Sequence, residues 1–250
     1  LAGIIAILET AKNQVAAAGS DFQFGLSSGF TGYDTPATFT QFINALMARV
    51  QLYAGNNSGA ISALGGSFID AAGDMNAGPA HIFSGSGNDQ LNPIFYPETQ
   101  KYMAHPTFVT DAESGDNRLS KVTTVDEAMI DGLSGDQLVS VYASNDAPVS
   151  IIRNEELVLI AAEANIGSDN GMAAGMINAV RTANGLDAYT GGMDDASLTN
   201  EVLTQRRYSL FGEGHRWIDM RRAGRLGDLP LDRAGDEVFT QFPRPILEPQ

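Results

Sequence analysis

The sequence predicts an all-α fold of packed helical hairpins joined by long irregular loops, and three observations carry that prediction. Apolar residues recur at helical spacing over 1–73 and again over 151–250, glycines mark the ends of those stretches, and the segment 74–150 between them keeps no sustained period. A chain of 250 residues can bury a sizeable core. One domain in three blocks is the expected organisation: a helical block 1–73, a loop-rich block 74–150 and a second helical block 151–250 with a proline-rich tail.

In the first block Leu1, Ile5, Leu8 and Val15 fall near helical spacing, and Gly19 supplies a stop. Thr35 followed by Pro36 is a helix-start signal, since proline at the first helical position gives up an N–H that has no partner there anyway. Phe39, Phe42, Ile43, Leu46, Met47, Val50 and Tyr53 line one face, and Gly55-Asn56-Asn57 ends the helix. A second helix is expected from about Ser58 to Gly73, with Ile61, Leu64, Phe68 and Ile69 facing inward. Such antiparallel pairs are the unit that tetratricopeptide arrays stack.

Short apolar pieces separated by Gly, Asn, Asp, Ser and Pro make 74–150 read as an excursion of loops and short helices. Excursions of this length are usually functional or disordered, and the interleaved Phe95, Tyr96, Tyr102 and Phe108 argue against disorder. Regular helix returns at Arg153, with Leu157, Ile160, Ala161 and Ala164 as a stripe and Gly167 as its close. A partner runs from about Gly171 to Gly185, and a long helix from about Leu198 to Glu213. Gly214 breaks that helix, and a short turn carries Trp217 to Arg222.

The formal charge of −15 lies wholly before position 201: residues 1–200 hold 7 Lys and Arg against 22 Asp and Glu, while residues 201–250 hold 8 against 8. An acidic surface of that kind repels a polyanion, so no nucleic-acid partner is expected. The absence of cysteine excludes disulfides, thiolate metal sites and Cys nucleophiles, and leaves no acceptor for a lipid within this chain. No apolar run is long enough to span a bilayer. The opening LAGIIAILETAKNQVAAA reads as helix rather than as a secretory leader, so the chain is expected to be mature, trimmed or incomplete.

Six of the fifteen basic residues fall between Arg206 and Arg225. They could form an anion site, or a set of Arg–carboxylate pairs tying helices together; the second reading is favoured because Glu213 and Asp219 lie inside the cluster. Glu156 and Glu163, seven apart and so on one helical face, offer further partners.

At this point a resemblance becomes specific. RNEELVLIAAEA from Arg153, MINAVRTANGL from Met176, QRRYSLFGEGHRWIDMRRAG from Gln205 and the terminal PRPILEP resemble, in order and spacing, the C-terminal signature of the SusD/RagB family. Arg153, Glu156, Glu163, Arg181 and Arg207 occupy matching positions, as do Glu213, Arg216, Trp217, Asp219 and Arg222. FINALMARVQLYAGN and GDNRLSK match more weakly upstream. Family members are commonly about twice this length and begin with a lipidated Cys, so an N-terminal part is expected to be lacking here. Gln205 and Ser209 replace usual acidic residues, which removes two expected arginine partners.

The resemblance implies a helical capture protein without a cofactor, on the extracellular face of an outer membrane. There it would present oligosaccharides or peptides to a SusC-like TonB-dependent transporter, touching the membrane only through a lipid anchor not present in this chain. It also implies that the signature residues are scaffold. The ligand site is a separate reading: sugars need aromatic faces beside amide or carboxylate groups. Asn88, Asp89, Gln90, Asn92, Phe95, Tyr96 and Tyr102 offer that mixture on irregular backbone, and Tyr33 is a second candidate. The same rings could instead pin loops onto helices. Two readings of other classes stand beside this one. A glycan-active enzyme could use Glu155, Glu156 or Glu163, though two of these face a helix contact, and His81, His105 and His215 share no metal-like spacing. A helical scaffold could bind protein alone. Catalysis is not expected, and a metal ion among Asp111 to Asp116 stays open.

Overall fold

The computed structural model describes residues 1–95, 102–130 and 132–242. Helix α1 (Ala2–Ala16) stops just before Gly19, whose φ of 82° lies in the left-handed region. Helix α2 (Pro36–Tyr53) begins at the expected signal: Thr35 and Thr38 exchange hydroxyl and amide, each amide donating at 3.2 Å, so two otherwise orphaned N–H groups are satisfied. Helix α3 (Asn57–Leu64) is capped by Asn56, which accepts the Gly59 amide at 3.1 Å. It is shorter than expected. Gly65 and Gly66 end it, Asn44 holds the Gly66 carbonyl at 2.9 Å, and Phe68 and Ile69 reach the core from a loop.

The middle block corrects the sequence reading most. Besides a two-residue strand β1 (Ala80–His81) and a single helical turn α4 (Thr107–Thr110), it contains an antiparallel hairpin, β2 (Val122–Ile130) and β3 (Leu133–Val139). The pairing runs from Val122 opposite Val139 to Ile130 opposite Leu133, with an irregularity between Thr124 and Ala128. The fold is therefore mostly helical rather than all-α. Strand β4 (Val149–Ser150) pairs with β1 and returns the chain to the core.

Helix α5 (Asn154–Asn165) is the centre of the molecule. The expected stripe of Leu157, Ile160, Ala161 and Ala164 packs toward α2 and α3. Val158, Leu159 and Ala162, which the stripe leaves out, are also fully buried, facing α6 (Asn170–Ala183) and α7 (Asp195–Ser209). Fully burying Leu157, Val158, Leu159 and Ile160 contributes about 1.5–3 kcal/mol each. No face is left for water. The N-terminal amides of such a helix must find protein partners: Asn154 and Glu155 donate to the carbonyls of Ala77 and Met75 at 2.8 and 2.9 Å. The short α8 (Arg216–Arg222) follows α7 through Gly212 and Gly214, both at φ 80°. Among the described residues no helix is long and apolar enough to cross a membrane.

Candidate ligand-binding site

Four of the six clustered arginines meet a carboxylate among the described residues, as the paired reading expects, while Arg216 and Arg221 donate to backbone carbonyls. Arg206 bonds Asp219 at 2.7 Å with both side chains almost wholly buried. Arg222 takes Glu163 and Asp219, Arg207 takes Asp111 at 3.0 Å, and Arg153 joins Glu155 to Glu213. Arg181 bridges Glu113 and Glu201 at 2.6 and 2.7 Å. One expectation needs correction: the partner of Glu156 is not in the cluster. It is Arg49 on α2, whose Nε donates at 2.6 Å. Burial opposes ionisation of Glu156 and Asp219, yet the hydrogen bonds and charges of Arg49 and of Arg206, respectively, hold both carboxyls below their usual range.

The two departures from the family pattern find local partners, although the buried Gln205 Oε1 has none among the described residues. The Ser209 hydroxyl donates to Glu155 at 2.7 Å and accepts from Arg118 at 2.9 Å, while Gln205 donates to Glu201 at 2.8 Å. Arg118 and Asp116, from the GDNRLSK element, form a buried pair at 2.7 Å. Lys121 reaches the carbonyls of Tyr208 and Ser209 at the end of α7, where a cation meets the negative end of the helix. Burial first, and then Arg153, push its pKa down to about 8. The acidic run 111–116 is spoken for: Asp111, Glu113 and Asp116 each hold an arginine. Among the described residues no three His, Cys, Asp or Glu side chains gather as a metal site.

The residues expected to bind ligand are only partly brought together. Asn88, Asp89 and Gln90 are exposed on one turn, with Asp89 held by Ser84 at 2.8 Å. Asn92 is 4% exposed and serves as a pin: its amide group donates to Ala147 and accepts from Ile94. Phe95 is half-buried beside it, and Tyr96 lies outside the described residues. Tyr102 is half-exposed next to the bridge between Met103 and Leu138. Tyr33 lies apart from all of these, edge-on to Phe68 at 4.9 Å within the α2–α3 core.

Two clefts flank the Gly212–Gly214 turn. The first, about 490 Å³, runs from Ile94 and Tyr142 on the middle block to Arg49, Tyr53, His215 and Ile218. Tyr53 and His215 share a 2.7 Å hydrogen bond at its base. Burial pushes the tyrosine up to about 12 and the imidazole below its ordinary value. The second, about 560 Å³, has Phe108, Phe211, Trp217 and Phe242 as rings and Arg207 and Arg216 among its polar groups. Periodicity ranks Tyr53 with the core face of α2, Phe108 falls in the block that keeps no period, and nothing in local pattern places Tyr142 beside His215. Sequence reasoning therefore did not find either cleft.

The body is mostly helical and cross-tied by arginine–carboxylate pairs, with clefts where the middle block meets the signature turn. The SusD family model matches residues 85–242, more than half of the chain, and the protein belongs to that family. A laminarin-binding SusD-like protein matches with a TM-score of 0.56 at 20% identity, covering 89% of this chain and 63% of its own. Surface glycan-binding protein A from Bacteroides uniformis gives 0.56 at 19%, covering 89% and 57%. A SusD-like carbohydrate-binding protein from Bacteroides vulgatus gives 0.55 at 15%, covering 87% and 51%. The chain thus spans between about half and two thirds of these relatives. No curated protein sequence matches it.

Proposed function

We propose that the protein captures an oligosaccharide at the outer-membrane surface and hands it to a SusC-like TonB-dependent transporter without chemically altering it. Family membership over 85–242 carries the reading, and three solved relatives described as binding glycans, laminarin or carbohydrate support its ligand class. Support for a non-catalytic role comes from Glu155 and Glu156, both depressed below the usual carboxylate range. A carboxylate held ionised by Arg153 or Arg49 is a poor general acid at neutral pH. Stacking of the α2–α3 and α5–α6 hairpins in tetratricopeptide manner, a lipid anchor on the precursor and the loop-rich block 74–150 as ligand face belong to the same reading.

The cleft between Ile94 and His215 is its site, because there Ile94, at the end of the irregular loop 88–95, approaches the signature turn. Titration calorimetry against neutral and acidic oligosaccharides and against peptides tests it. At least one glycan should bind, and Tyr142→Ala should weaken that binding by about tenfold, a common cost of losing one stacking ring. Binding of peptides alone, or of a β-barrel transporter with no glycan, would replace the capture role by peptide uptake or by a scaffold.

A further inference from the structure

Of the signature arginines, Arg216 and Arg221 have no carboxylate partner among the described residues: Arg221 donates to the Thr240 carbonyl at 2.7 Å and lies over the Trp217 ring, whereas Arg216 faces the cleft. Its one described bond is from Nη1 to the Leu203 carbonyl at 3.0 Å. It lines the second cleft, and the other charges there are already matched: Asp111 holds Arg207 at 3.0 Å, and Asp228 holds Arg225 at 2.7 Å. Among the described residues, Arg216 is thus the one guanidinium lining this cleft without an ion-pair partner, with Asp219 and Asp228 acting on it only at longer range. Beside it Trp217 is fixed by donating Nε1 to the Phe239 carbonyl at 2.8 Å, and Phe242, 74% exposed, lies against the indole with centroids 4.7 Å apart. Phe211 adds a third ring.

We infer that this cleft binds an acidic sugar, a hexuronate unit of an oligosaccharide. Apolar ring faces take the C–H face of a pyranose, and a guanidinium takes a carboxylate through paired charge-assisted hydrogen bonds. The site draws most of its lining from the charge-balanced last fifty residues, with His105, Thr107, Phe108 and the Arg207-paired Asp111 contributed by the acidic part. It is separate from the cleft at Ile94 and rests on the reading of the protein as a glycan binder.

The test is calorimetry of the full chain with tetragalacturonate and with its methyl ester, which keeps the rings and removes the charge. The acid should bind about tenfold or more tighter. Arg216→Gln should erase that preference, and Phe242→Ala should weaken both ligands while keeping it. Equal binding of acid and ester overturns the site, as does a preference that survives in a folded Arg216→Gln protein. So does stronger binding of an acidic peptide such as tetraglutamate, or acid binding that appears only once residues 243–250 are deleted, which would make the cleft the seat of the chain's own tail. Should Arg216→Gln not fold, unchanged binding by Phe242→Ala decides against it. A wild-type protein that binds only neutral glycans overturns this site and leaves capture standing; one that binds no glycan overturns both.

Discussion

Glu156 is 1% exposed, and a carboxylate that dry needs a cation within reach. Arg49→Ala removes that cation and should cost about 3–5 kcal/mol in urea unfolding, whereas Arg49→Met with Glu156→Leu should recover most of the loss. His215 sits 4.0 Å from the same carboxylate, but burial outweighs the attraction and its folded pKa lies below the unfolded value. The unfolded chain therefore takes up this proton first. The stabilisation is complete above about pH 6.5 and is lost as pH falls through the folded value. Unfolding free energy measured from pH 7.5 to 5 should show this loss in the wild type and not in His215→Gln. Loss of equal size in the variant would assign it elsewhere.

At the scale of elements, the helices were legible because their signals are local. Thr35-Pro36 starts α2 and Gly167 and Gly185 close α5 and α6, each at φ 82°. Thr35→Ala should lower stability by about 1 kcal/mol, read from the denaturation midpoint. The β2–β3 hairpin was missed although Val122-Thr123-Thr124-Val125 and Asp131-Gly132 are strand and turn signals. Asp126 and Glu127 interrupt the alternation where the pairing is irregular, so the run does not read as a regular strand. The partnership of Arg49 with Glu156 spans 107 positions and was invisible for a different reason: only packing brings α2 against α5. The same holds for the clefts. Residue types in 88–102 suggested sugar chemistry, yet Asn92 is spent on Ala147 and Ile94, and that is decided by where the chain returns.

For the molecule as a whole, most cross-ties are partly or wholly buried, while the net charge of −15 is spread over the surface of residues 1–200. Salt screens the second much more than the first. Raising NaCl from about 0.05 to 1 M should leave the thermal midpoint level or raise it; a fall of more than about 5 °C would mean that the pairs behave as surface pairs. The enclosure of α5 has a further consequence for motion. Its amides can meet solvent only when α2, α6 and α7 all come away. In deuterium oxide, residues 157–162 should be the last to exchange, at the rate of global opening, while β2–β3 and the turn at 88–90 exchange through local fluctuations.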